Sequence, residues 1–236
     1  MGIGASQTFV SPSRLARFSI LAVQGSIAKE MHEWNFRAAG EILATAGRME
    51  VLVRHAAGLQ LTRLAEVRGS RYWPLTLEFD DHETRVIRRA YKQAASIADL
   101  PHDAYLVAEN VPLGFWLQLL SSRYHTRLWV PGLNRGFLNL EGSASVRRES
   151  LHCSLERAVL LRNLAAHVQP LHLLQPEEVL EPFRAVAGAI DPAAALWVVQ
   201  SSRLFDVWDS RPTAESPQIP TQTQGRESGM PRDGLL

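Results

Sequence analysis

The sequence predicts an all-α fold, a helical bundle in one domain. Three observations predict it. Apolar residues recur at helical spacing through most of residues 12–208. Prolines and capping residues mostly punctuate those periodic runs. Only one short stretch, residues 75–79, alternates as a strand would, and nothing else in the chain is patterned to pair with it.

The elements follow in order. Residues 1–11 are small and polar and predict a flexible lead-in. Ser11-Pro12-Ser13 marks a helix start, with Ser11 as cap and Pro12 at the first helical position. Leu15, Phe18, Ile20, Leu21 and Val23 give this short helix an apolar side that ends near Gly25. Ser26 is placed to cap a longer helix. Its residues Ile27, Met31, Trp34, Ala38, Ile42, Met49, Val53 and Ala56 keep helical spacing to about Leu64. The register slips at Gly40 and Gly47, which allows a break near Gly47. Gly69-Ser70 and Tyr72-Trp73-Pro74 predict a turn. Residues 75–79 are expected as an extended loop, for want of a partner strand. Asp80 or Asp81 caps the next helix, which runs to about Ala98 with a basic face of Arg85, Arg88, Arg89 and Lys92. That face reads as a solvated one. Leu100-Pro101-His102-Asp103 is a turn.

Another helix begins near Pro112, carries Phe115, Trp116, Leu119 and Leu120, and is closed by Leu128-Trp129-Val130-Pro131-Gly132. Residues 133–143 are rich in Gly and Asn and read as loop. A long helix follows from about Ser145 to His167, stopped by Pro170. Pro176-Glu177-Glu178 opens a helix with acids in its first turn, and Pro182 is expected to kink or split it. Asp191-Pro192 starts the last helix, from Ala193 to about Trp208. From residue 209 to 236 apolar periodicity stops and Pro, Ser, Thr, Gln and Gly dominate. That composition predicts a disordered tail. The domain is therefore 12–208, between a flexible 1–11 and a disordered 209–236.

Composition excludes several classes. At 46% hydrophobic and 21% charged the chain fits a soluble globular protein. A net charge of +1 offers no global basic field, so any nucleic-acid contact must be local. The only lysines are Lys29 and Lys92; a GC-rich genome is the simpler reading of that bias, and a preference for forked guanidinium contacts is the alternative. The single cysteine, Cys153, rules out an internal disulfide and a Cys-rich zinc site, and its apolar setting predicts a core thiol. His125, His152 and His172 stand at no metal-ligand spacing, so no metal and no cofactor are expected. There is no apolar run of about 18 residues to span a membrane. The start of the chain lacks a charged region followed by an apolar one. A cytoplasmic protein without membrane contact is the expectation.

One stretch carries chemistry: Arg162-Asn163-Leu164-Ala165-Ala166-His167. It places a permanent cation, an amide and an imidazole at a helix end. A guanidinium grips phosphate with two parallel hydrogen bonds. An imidazole exchanges protons near neutral pH. Cleavage of a phosphodiester by its own neighbouring 2′-hydroxyl needs both and needs no metal. Asn163 and His167, four residues apart, share a face. Arg162 lies about 140° around the helix from His167. A two-fold axis that faces two copies of the motif would close that gap. Taken alone, so short a pattern is more often structural, with His167 ending the helix and Arg162 in an ion pair with Glu156 or a more distant acid.

Further blocks add to the hexad. They are Trp34-Asn35, Glu50-Val51-Leu52-Val53-Arg54, Ala108-Glu109 with Gly114-Phe115-Trp116 and Leu119-Leu120, then Tyr124, Leu128-Trp129 and Phe137. Leu161-Arg162-Asn163, Ala166-His167 and Pro170-Leu171 complete the order. In this order they resemble the Abi-like (abortive infection) proteins of the HEPN superfamily, over roughly residues 12–172. The resemblance implies a HEPN-like helical bundle, here with additional helices, that forms a homodimer. It implies a metal-independent endoribonuclease that acts as a toxin or phage-defence effector, with RNA as substrate and an antitoxin protein as a partner. His167 would be the general base, Arg162 would stabilise charge on the phosphorane-like transition state, and Asn163 would orient one or the other. Products would carry 2′,3′-cyclic phosphate and 5′-hydroxyl ends.

The chain departs from the family pattern in two places. Val168 and Gln169 stand where the family commonly has a second His and an acid, and His55 stands where it often has Asn. A catalytically weakened protein that binds RNA or a protein partner is the alternative. Glu50 and Arg54 are spaced for a surface ion pair, and the resemblance offers them, with His55, a supporting or RNA-contacting role beside the Arg162 cleft. Trp34, Trp116 and Trp129 sit in apolar blocks and are expected in the core rather than stacked on bases.

Overall fold

The computed structural model describes residues 12–19, 25–97 and 104–213. Among them are ten α-helices and no strand: α1 (Pro12–Ser19), α2 (Gly25–Glu66), α3 (Trp73–Thr76), α4 (Asp81–Ile97), α5 (Ala104–Asn110), α6 (Leu113–Leu119), α7 (Ala144–Ala166), α8 (Pro176–Ile190), α9 (Pro192–Gln200) and α10 (Leu204–Asp209). The all-α class is thus observed. The expectations for residues 1–11, for Ile20, Leu21 and Val23, for the turn at 100–103 and for the tail from 214 lie outside the described residues.

The 42-residue α2 is the axis, about 63 Å long. Met31, Trp34, Ala38, Ile42, Met49, Val53 and Leu61 are all buried along it. It does not break near Gly47: an added Cβ at Gly40 or Gly47 would meet nothing within 4 Å, so neither glycine marks a close approach. Ser26 lies inside α2 rather than capping it. Packed lengthwise on α2 is α7, in the opposite direction. Near α7's start, Arg147 donates to the carbonyls of Asn134 and Phe137, beside Gly136, where an added Cβ would sit 3.0 Å from the Ala56 carbonyl of α2. Just past α7's end, the chain at Gln169 and Leu171 is held by Asn35, some twenty residues back along α2. Both α2 and α7 bury one face against α8.

Tryptophans fasten this bundle with both ring and N–H. Trp34 Nε1 donates to Val207 O at 2.7 Å, Trp129 Nε1 to Ala144 O at 2.7 Å, and Trp208 Nε1 to Leu174 O at 2.8 Å. Trp34, Trp116 and Trp129 are all buried, as expected. Ser143 caps α7 by accepting from Val146 N–H, and Asp191 caps α9 by accepting from Ala193 N–H at 2.7 Å.

Several expectations are corrected. Residues 73–76 form a helical turn, because Pro74 sits in its first turn and Leu77 N–H closes it on Trp73 O. Asp80 precedes α4, but its carboxylate turns away to Arg127 and Arg123; the hydrogen bond from Arg127 first, then the two positive charges, holds it below the usual carboxylate range. Helix α5 was not expected. The region after α6 is a 3₁₀ turn (Ser122–Tyr124), a π turn (His125–Trp129) and, inside the expected loop, a further 3₁₀ turn (Leu133–Gly136). Of the two outcomes expected at Pro182, a split is excluded: α8 runs through it as one helix, with the ring buried in the core and packing compensating the lost hydrogen bond. The expected last helix is two. Arg203 N–H donates to Glu41 Oε1 and Leu204 N–H to Ser202 Oγ, and these polar ties restart the chain as α10. Cys153 is exposed, because it lies on the outer side of α7 and not on the Leu151–Leu155–Ala158 side.

Candidate functional site

The last two turns of α7 carry Arg162, Asn163 and His167. Leu161 and Ala165 are buried, which turns Asn163, Ala166 and His167 to solvent and leaves Arg162 half-buried. Arg162 Nη1 donates to Asn163 Oδ1 at 3.3 Å, so the amide steadies the guanidinium at the rim. His167 is the C-cap residue. Among the described residues no side chain hydrogen-bonds or ion-pairs its imidazole, which leaves both ring nitrogens open to a ligand.

The turn that presents His167 is built with care. Val168 N–H donates to Ala165 O at 2.9 Å and Gln169 N–H to Leu164 O at 2.9 Å. These are the two bonds of a Schellman motif, which needs a left-handed residue directly after the cap. Val168 fills that position with φ 48°, the only non-glycine residue with positive φ among those described. A β-branched side chain is strained there. Asn35, fully buried on α2, then clamps the exit. Its Nδ2 donates to Gln169 O at 3.0 Å and its Oδ1 accepts from Leu171 N–H at 2.8 Å. Arg17 of α1 donates to Gln169 Oε1 at 3.3 Å. The helix end is thereby held from two other helices. Next along, His172 is buried against Phe18, and burial first, then Arg211, lowers its pKa.

Glu50 and Arg54 meet each other, as their spacing predicts. Arg54 Nη2 donates to Glu50 Oε1 at 2.6 Å. Arg54 Nη1 donates to the Glu109 carbonyl and lies 3.7 Å from its carboxylate. The pair therefore binds α2 to the C-terminal end of α5. Along α2, Glu50 and Arg54 lie about 22 and 28 Å from Asn35, which marks the level where the chain leaves α7. Among the described residues no hydrogen bond or ion pair joins them to Arg162 or His167. His55 is exposed at the mouth of a 120 Å³ cavity between α2 and α5. The structure thus groups Arg162, Asn163 and His167, and separately groups Glu50, Arg54 and His55.

Two supporting residues had no assigned role in the sequence. Asn35 stood in the sequence as half of the Trp34-Asn35 block, without a role; a polar residue on an apolar helix side signals a buried amide with backbone partners. Arg17 had no signal. Among the described residues, no three His, Cys, Asp or Glu side chains cluster as metal ligands would, and no helix is long and apolar enough to cross a membrane. Comparison of the chain with protein-family profiles, with curated proteins and with solved structures gave no match.

Proposed function

We propose that this chain is a metal-independent endoribonuclease of the Abi-like HEPN type, working as a toxin or phage-defence effector. The observation that carries the reading is the trio at the end of α7, an exposed imidazole open on both nitrogens one turn from an amide-steadied, half-buried guanidinium. In this reading His167 takes the proton of an RNA 2′-hydroxyl. The 2′-oxygen then attacks phosphorus, the bond to the 5′-oxygen breaks, and the proton is available to the departing oxygen. Arg162 meets the charge that builds on the phosphoryl oxygens. RNA is the substrate, a second copy of the chain completes the cleft, and an antitoxin protein is the partner that restrains it.

The test is direct. Total RNA incubated with the protein in excess chelator should yield fragments with 2′,3′-cyclic phosphate ends. Arg162→Ala and His167→Ala should each lower the rate by about a hundredfold or more while remaining folded. Cleavage that survives both substitutions removes this assignment.

One observation favours a second reading. Gln169, where the family commonly has an acid, is engaged by Arg17 at its side chain and by Asn35 at its carbonyl, and among the described residues no side chain fixes the tautomer of His167. A protein that binds RNA or a protein partner through the same surface would leave RNA intact yet retain it in a binding assay.

A further inference from the structure

A second feature lies away from α7. Between α3 and α4 the surface opens into a groove of about 520 Å³. Pro74, Leu75 and Ile87 make its apolar bed, Tyr72 and Tyr91 stand along it, and Arg88 and Lys92 border it. Leu75 is 85% exposed, although it belongs to a short helix whose neighbours Trp73 and Pro74 are buried. Leu75 thus carries the apolar bed of Pro74 and Ile87 out to the solvent, and a contiguous apolar surface of this kind marks a binding site where a lone exposed side chain would not.

Charge fixes the sign of the occupant. Arg88 and Lys92 are four residues apart and exposed on one side of α4. Among the described residues no acidic side chain lines the groove and neither cation has a carboxylate partner. The acids of α4 are spent elsewhere: Glu83 is buried and accepts from the Tyr124 hydroxyl, and Asp81 is at the far, N-terminal end. Burial first, and the neighbouring Tyr91 phenol second, raise Tyr72, so its hydroxyl remains a proton donor.

Size fixes the class. A volume of a few hundred Å³ suits a small molecule. A stable protein partner needs about 800 Å² of each surface. The geometry points to a site for a small amphipathic anion, an apolar chain or ring carrying one carboxylate or phosphate, with its body between Tyr72, Tyr91 and Leu75 and its charge against Arg88 and Lys92. The site does not depend on the nuclease reading, since none of its residues belongs to the α7 trio.

Decanoate, decanol and decyltrimethylammonium are the probes, each titrated calorimetrically into the full chain. Decanoate should bind at one site per chain, about tenfold more tightly than decanol. The ammonium probe should be the weakest. Arg88→Gln with Lys92→Gln, both at exposed positions, should abolish the preference for decanoate over decanol and leave decanol binding unchanged. Leu75→Asp should weaken both, with thermal unfolding checked to remain that of the parent. Equal binding of decanoate by the parent and by the Arg88→Gln, Lys92→Gln chain overturns the proposal. So does failure of decanoate to bind while a single-stranded RNA 12-mer or phosphatidylglycerol vesicles bind through Arg88 and Lys92, which would make the groove a macromolecular or membrane contact.

Discussion

At the scale of single residues the most telling position is Val168. It follows His167 directly and adopts φ 48°, where glycine or asparagine is the usual occupant. Left-handed backbone costs a β-branched residue about 1–2 kcal/mol. The surroundings impose it, because the Schellman bonds, the Asn35 clamp and Arg17 all act within about three residues. Val168→Gly should therefore stabilise the protein by about 1 kcal/mol, after allowance for the greater freedom of glycine in the unfolded chain. Thermal unfolding should move up by about 3 °C. An unchanged or lower midpoint would mean that the half-buried valine side chain contributes more than its backbone costs. Strain placed next to a candidate catalytic group is a familiar arrangement. Measuring RNA cleavage on the same variant tells whether the strain serves the position of His167 or is incidental.

At the scale of elements, α2 shows how tertiary packing overrides local preference. Gly40 and Gly47 weaken it, yet it runs unbroken because the buried stripe from Met31 to Leu61 continues through both. Each glycine has open space around a Cβ. Gly40→Ala with Gly47→Ala should stabilise by about 0.5–1 kcal/mol per site, read as a rise in urea midpoint with unchanged slope. A fall in midpoint would imply a clash that the open space does not show. The long helices were legible for the same reason that they are stable: α4, α7 and α8 each carry capping or charge signals and a sustained apolar stripe. Short α5 was not legible, since it has only Val107 and Ala108 buried and so too little apolar periodicity to announce it. The division of α9 from α10 depends on Glu41, more than 160 residues away in sequence, so no local window contains it. Cys153 lies two residues from both Leu151 and Leu155, about 200° around the helix from either, which exchanges core for solvent. The trio on α7 was legible because it is contiguous. Its supports were not, because Asn35 and Arg17 come from other helices.

At the scale of the whole molecule the question is whether one chain holds a complete site. Arg162 and His167 are separated by about 140° around α7, and Arg162 is turned toward Asn163 rather than toward the imidazole. The outer side of α7 offers a way to complete it. Cys153, Leu160 and His167 recur every seven residues and all are exposed, Leu160 by 58%. An apolar residue seven positions before His167 on an open helix face fits a helix-to-helix contact between two copies. If a two-fold axis passes there, His167 of one protomer works with Arg162 of the other. Co-expression of Arg162→Ala chains with His167→Ala chains distinguishes this from a site within one protomer. Neither chain alone should cut RNA. In a mixed dimer one of the two sites is whole. Random pairing makes about half of the dimers mixed, so roughly a quarter of parental activity should return. Adding Leu160→Glu to both chains should abolish that recovery and shift the protein to a monomer by light scattering. Were Arg162 and His167 of the same protomer to act together, the mixture would stay as inactive as its parts.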